Sequence, residues 1–344
     1  MTANESLIDE VRRTVAATSF SGVVSLVRGN NSVYQEAFGY ADHSEKRENN
    51  LDTRFGIASG TKFFTALGIG TLIDAGNLSL DTSIGEIFRT DLSYIDSRAT
   101  IAQLLSHTSG IYDYYDEETG IDSANYFIEI PWSRLETPSD YLPMFENRPP
   151  KFAPGERYSY SNGGFVFLGV IIERISGQLY RDYMRENVFS PIDMDSSGFF
   201  AFDSLPDNTA CGYKRTEDGA LATNVDNLPV RGGGDGGAYT NLADIRTLWS
   251  AFFRGRLLSS QLVASYTTPH AVIDDRRNYG YGLYIMNYRG MDMFSYNGGD
   301  AGVGFDARYI PEKELGITVI SNFTNGEEDL RSVILSHLEE ILAE

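Results

Sequence analysis

The stretches of this sequence with strand-like alternation lie at its two ends, and the helical periodicities lie between them. Any large sheet must therefore be assembled from both termini. Residues 5–17 carry Leu7, Ile8, Val11 and Val15 as a helical stripe. Residues 22–28 and 33–39 are β-rich runs around the turn residues Gly29, Asn30 and Asn31. At the far end, residues 280–287, 291–296, 304–310 and 316–322 read as strands, followed by a helix over 327–342. Helical periodicity marks 63–75, 101–105, 164–175 and 242–253, joined by long polar loops. The pattern predicts an α/β protein of the α+β kind, with an antiparallel sheet flanked by terminal helices and an inserted, mainly helical lobe. The expected division is a sheet domain of residues 1–75 and 240–344 and a helical lobe of 76–239. A small-molecule cleft is expected between them.

Charge narrows the partners. A formal net charge of −20 repels nucleic acid phosphates and anionic lipid surfaces, so neither a nucleic acid nor a membrane is an expected partner. No run of about 18 apolar residues occurs, and residues 1–13 contain no apolar signal-like stretch, so a cytoplasmic location is expected. Cys211 is the single cysteine and reads as a packing residue, with no intrachain disulfide possible. The histidines, at 43, 107, 270 and 337, form no zinc-binding spacing, so no metal or other cofactor is expected. Gly232, Gly234 and Gly237 satisfy a dinucleotide-binding spelling, but no strand–helix–strand unit surrounds them, and they read as a loop beside the cleft.

Three groups of residues carry chemistry. Ser59 and Lys62 stand at the start of an apolar helix, three residues apart, so their side chains share one face and can touch. A serine hydroxyl needs a base to attack, and a lysine kept neutral by burial can serve. Alone, the same spelling also describes a helix cap followed by a solvated lysine. Tyr160 and Asn162, in the polar run after Pro154 and Gly155, would point to one side of an extended segment. The phenol can relay a proton once a cation lowers its pKa, and the amide can hold Lys62 or a substrate carbonyl. Finally, Tyr296, Asn297, Gly298 and Gly299 end a strand, where glycines let a ligand approach the backbone.

In this order and separation the three groups resemble the serine β-lactamase and penicillin-binding protein superfamily, in particular its class C β-lactamase, DD-peptidase and family VIII esterase branch. The likeness continues through the segment from Leu104 to Gly110, with His107 inside it as a structural hydrogen-bonding residue, and through Gly236 to Asp244. It implies a β-lactamase/transpeptidase-like fold, Ser59 as nucleophile forming an acyl-enzyme, Lys62 and Tyr160 as base and acid, and Asn162 as orienting amide. The backbone N–H groups of Ser59 and Gly299 would form an oxyanion hole. The sequence departs from the family at Tyr296, where β-lactamases and many DD-peptidases carry the lysine of Lys-Thr-Gly, and many relatives the histidine of His-x-Gly.

A neutral Tyr296, with Tyr112, Tyr114 and Tyr115 expected around the cleft, suits an uncharged, partly apolar substrate. The expected activity is that of a carboxylesterase on small or medium acyl esters. A D-amino-acid peptidase or amidase and a weak β-lactamase are the alternatives within the enzyme class, with a catalytically silent binding protein on the same fold as the alternative outside it. Should an anionic substrate be served, Arg231 or Arg308 would have to supply the cation.

Overall fold

The computed structural model describes residues 3–89, 92–120 and 130–343; positions 90–91 and 121–129 of the expected helical lobe lie outside the described residues. In chain order the elements that position the site are α1 (Ala3–Thr18), β1 (Gly22–Arg28), β2 (Asn31–Phe38), α2 (Thr61–Asp74), α3 (Asn162–Ser176), α4 (Leu242–Phe253), β3 (Ala271–Val272), β4 (Arg277–Tyr279), β5 (Tyr284–Tyr288), β6 (Met291–Asp300), β7 (Val303–Ile310), β8 (Leu315–Ser321), α5 (Glu328–Ser336) and α6 (Leu338–Ala343).

Both chain ends do build one sheet. Its eight strands run β2-β1-β8-β7-β6-β5-β4-β3, and every neighbouring pair is antiparallel. The first strand is zipped to the last from Gly22 opposite Ser321 to Arg28 opposite Leu315. At the centre, β8 is buried along its whole length, as a strand covered on both faces must be. Successive side chains then serve different layers. Val24, Leu26, Ile317 and Val319 face Leu7 and Val11 of α1 and Leu330, Ile334, Leu338 and Ile341 of α5 and α6. Val23, Ile320, Phe305 and Ala307 face the second core, shared with Phe63 and Phe64 of α2, Phe165 to Leu168 of α3, and Trp249 and Phe252 of α4.

The helices begin where the sequence supplies a cap. The Ser161 hydroxyl accepts from the Gly164 N–H at 2.9 Å ahead of α3, and the Asn241 side chain accepts from the Asp244 N–H at 3.0 Å ahead of α4. Three boundaries differ most from the sequence reading. The strand expected from residue 280 begins only at Tyr284. The strand expected to stop at residue 296 continues to Asp300, and the expected C-terminal helix breaks at His337 into α5 and α6. The edge strand β3 and its neighbour β4 are too short to announce themselves by alternation. Among the described residues no helix is long and apolar enough to cross a membrane.

The tight closure of the two chain ends gives a direct test. Gly22 has a φ of 150°, and a Cβ there would lie 1.9 Å from the Ile320 carbonyl oxygen on β8. Gly22→Ala is expected to cost about 3 kcal/mol, the upper part of the usual range for overpacking, measured as a lowered midpoint of urea unfolding. An unchanged midpoint would contradict this account of the β1–β8 pairing.

Candidate active site

Ser59 sits in a single 3-10 turn, Ala58–Gly60, that runs straight into α2. The turn is strained. Ala58 has a φ of 43°, a left-handed conformation that disfavours any residue with a Cβ by about 1–2 kcal/mol. It is held by the Thr61 hydroxyl, which donates to the Ala58 carbonyl at 2.7 Å and accepts from the Ala238 N–H at 2.9 Å. From the other side, β6 presses against the turn. A Cβ on Gly298 would lie 2.6 Å from the Ser59 nitrogen, so only glycine allows this approach.

One turn further on, the Lys62 side chain is 2% exposed. Its Nζ lies 3.0 Å from Ser59 Oγ, 2.8 Å from Asn162 Oδ1 and 2.8 Å from the Asp235 carbonyl oxygen. The Asn162 amide is fixed in this orientation because its Nδ2 donates to the Tyr115 carbonyl at 3.0 Å. Asn162 itself opens α3, where the Asp113 carboxylate accepts from the Asn162 N–H at 2.8 Å and the Gly163 N–H at 2.9 Å. Tyr160 lies with its ring centroid 4.8 Å from Lys62 Nζ. The 160–162 segment and the Asp235 loop thus converge with Ser59 on one lysine nitrogen.

Burial dominates the electrostatics here. It lowers the pKa of Lys62, against the opposing pull of Asp235, Glu117, Asp113 and Asp300. Asp113 is pushed up to about 7 by burial despite its backbone N–H partners. Asp300 is exposed at the cavity, and desolvation by the protein around it raises its carboxyl above the ordinary value. The Asp235 carboxyl, raised by burial, accepts from the Tyr114 hydroxyl at 2.6 Å. Tyr160 departs from expectation. Its phenol is raised well above the ordinary value, with burial as the largest cause, while contact with the Ser59 hydroxyl works the other way. Instead of a cation-lowered phenolate, the site holds a neutral phenol.

A cavity of about 840 Å³ opens over Ser59 and is lined by Asn162, Asp235, Gly299, Asp300, Tyr114 and Tyr115, among others. Tyr112 does not line it and packs on Phe145 instead, at 5.9 Å between ring centroids. The expectation for Tyr296 needs correcting in the same way. Tyr296 is 2% exposed and packed among Phe63, Phe64, Trp249 and Phe305, away from the cavity. The reason is the strand's period of two: with β6 continuing to Asp300, Tyr296 falls on the same face as Phe294, beneath α2. Asn297 and Gly298 do not line the cavity either, and Gly298 serves as the packing surface for the Ser59 turn. Arg231 donates to the Phe199 carbonyl at 2.8 Å and Arg308 pairs with Asp306 at 2.6 Å, and neither lines the cavity.

Asp235, Asp113 and Thr61 were not singled out from the sequence. For Asp235 the signal was present, since it stands inside the Gly232–Gly237 run, where flexible backbone lets a carbonyl reach Lys62. Asp113 and Thr61 act on backbone N–H and C=O groups and carry no such mark.

The sequence model of the family described as Beta-lactamase matches residues 7–339. The chain is 28% identical to penicillin-binding protein 4* of Bacillus subtilis, over 94% of this chain and 72% of that protein. It is also 28% identical to a D-aminopeptidase of Brucella anthropi, over 90% of this chain but only 57% of that protein. The crystal structure of a penicillin-binding protein from Bacillus halodurans superposes with a TM-score of 0.88 at 37% identity, covering 95% of this chain and 99% of that one.

The placement of Tyr296 predicts two opposite outcomes. Its buried hydroxyl has no hydrogen-bond partner among the described residues, so Tyr296→Phe should hold or raise the melting temperature. Tyr296→Lys puts an ammonium into the aromatic core and should cost on the order of 3 kcal/mol or more. A Tyr296→Lys protein as stable as the parent would mean that the side chain reaches solvent.

Proposed function

The chain belongs to the beta-lactamase family and is a serine hydrolase, and from that premise we propose that it hydrolyses small or medium carboxylic esters through an acyl-enzyme on Ser59. Ser59 and Gly299 come from the sheet domain, residues 1–75 with 240–344, and Asn162 and Asp235 from the helical lobe, residues 76–239, so substrate enters between them.

The observation that carries the mechanism is the set of three atoms around Lys62 Nζ. Asn162 Oδ1 and the Asp235 carbonyl can only accept hydrogen bonds, whereas Ser59 Oγ can accept or donate. A neutral lysine amine has two N–H groups and one lone pair. The two N–H groups satisfy the two obligate acceptors, and the lone pair is left aimed at the Ser59 O–H. Lys62 then takes the serine proton as Oγ attacks the ester carbonyl. Tyr160, a neutral phenol in contact with Ser59, hands a proton to the departing alkoxide and is reprotonated from Lys62. The two titrate as a coupled unit. Water repeats the sequence on the acyl-enzyme. Backbone N–H groups of Ser59 and Gly299 hold the oxyanion, at the end of β6 where β5 no longer pairs, since Tyr284 meets Ser295.

Substrate preference follows from charge. The cavity is lined by the carboxylates of Asp235, Asp300, Glu117 and Asp329 against two cations, Lys214, whose Nζ donates to the Asn227 amide oxygen, and Arg215, which lies over the Phe323 ring, while position 296 carries no cation and Arg231 and Arg308 are engaged elsewhere. An acyl donor with a free carboxylate is disfavoured there. The same carboxylates favour a second reading, an amidase or peptidase for D-residue substrates bearing an ammonium group, and the similarity to a D-aminopeptidase points the same way.

Without the cation, an anionic substrate forgoes a charge-assisted hydrogen bond of about 1.5–3 kcal/mol, or roughly 10–100-fold. The value of kcat/KM for a short-chain nitrophenyl ester should exceed that for a chromogenic cephalosporin by at least this factor. Ser59→Ala should abolish both activities in a folded protein. Equal efficiency on the two substrates would refute the preference, and an active Ser59→Ala protein would refute the nucleophile. A D-residue amide cleaved faster than the ester would select the second reading.

A further inference from the structure

His107 makes contacts that a merely structural histidine does not need. Its main-chain carbonyl accepts from the Ser159 N–H at 2.9 Å, and its ring Nδ1 accepts from the Ser161 N–H at 3.0 Å. These are the two amides on either side of Tyr160. The imidazole ring lies on the Tyr160 ring with centroids 4.6 Å apart, and it is closed in by Phe165 at 4.9 Å and Tyr279 at 4.7 Å. One residue therefore holds the backbone N–H of the residue before Tyr160 and of the residue after it, and covers one face of its ring.

Holding that grip is costly. His107 has a φ of 58°, left-handed backbone for a residue with a Cβ. Because Nδ1 accepts a hydrogen bond, the ring proton sits on Nε2, and this buried Nε2–H has no partner among the described residues. Burial keeps the ring neutral, which preserves Nδ1 as an acceptor.

We propose that His107 is a positioning residue that fixes the Tyr160 phenol over Ser59 and Lys62 by clamping the Ser159–Ser161 backbone and the Tyr160 ring. The inference rests on the reading of Tyr160 as the proton relay. His107 touches no substrate and moves no proton. Its effect belongs in the step that Tyr160 serves and not in substrate binding.

The test is a double-mutant cycle read as kcat and KM on the nitrophenyl ester. His107→Phe keeps a ring against Tyr160 but removes the Nδ1 acceptor. His107→Asn offers an amide oxygen near the Nδ1 position and tolerates left-handed backbone. The Phe variant should lower kcat by about 100-fold, at the low end of what a lost acid–base group costs, with KM changed less than about 3-fold. The Asn variant should recover kcat to within about 10-fold of the parent. In a Tyr160→Phe background neither should lower kcat further, because the group being positioned is gone. If His107→Phe does not fold, His107→Gln, whose amide sits near the Nε2 position and misses the Ser161 N–H, replaces it in the cycle. Equal losses for Phe (or Gln) and Asn, a loss confined to KM, or a full loss persisting beside Tyr160→Phe would each overturn the proposal. An unchanged kcat in Tyr160→Phe alone would overturn the relay reading, and the positioning role with it.

Discussion

The buried side chain of Lys62 is the contact on which the rest of this site depends. Two obligate acceptors from distant parts of the chain, Asn162 Oδ1 and the Asp235 carbonyl, and the hydroxyl of nearby Ser59 surround its Nζ. Taking an ammonium out of water is expensive, and here burial outweighs the pull of four carboxylates, so the lysine pKa falls. A lysine on the surface would stay protonated at neutral pH and could not act as a base. The fold spends its interior on making Lys62 unlike an ordinary lysine.

Much of the architecture can be understood as what holds those acceptors in place. The Ser59 turn needs a left-handed Ala58, fixed by Thr61, and a glycine at 298 so that β6 can approach. Asn162 needs α3 to start where it does, and Asp113 secures that start by binding two of the N–H groups that a helix leaves unpaired. The Asp235 carbonyl needs the glycine-rich loop to pass close to α3, where a Cβ on Gly234 would lie 2.1 Å from the Phe165 oxygen. Each device acts on the backbone, and together they set the position of one nitrogen.

The sheet built from both ends and the helices between were legible in the sequence because periodicity survives in long elements: residues 242–253 were read as a helix and α4 spans them, and the strand at 316–322 lies within one residue of β8. Ser59 and Lys62 were legible because a three-residue spacing at a helix start implies contact, whereas Asn162, 100 residues further on, was assigned its place beside them only through the family resemblance. Tyr296 was misplaced for a reason of register. The alternation in the sequence stops at 296, yet Gly298 and Gly299 continue the strand, and an inward-facing position at 294 makes 296 inward as well. Asp113 could not be found, since nothing in a sequence says which carboxylate will cap a helix 49 residues away.

The central claim is that Lys62 takes the proton of Ser59, and labelling of the serine tests it without reference to any natural substrate. The rate of covalent modification by a fluorophosphonate, followed by intact mass across pH with the site mapped by peptide analysis, should give a single adduct on Ser59. That rate should climb with pH to a plateau as Lys62 loses its proton, and Lys62→Met should abolish the climb. An adduct on another residue, or a Lys62→Met protein labelled at Ser59 with the parent's pH profile, would contradict the account.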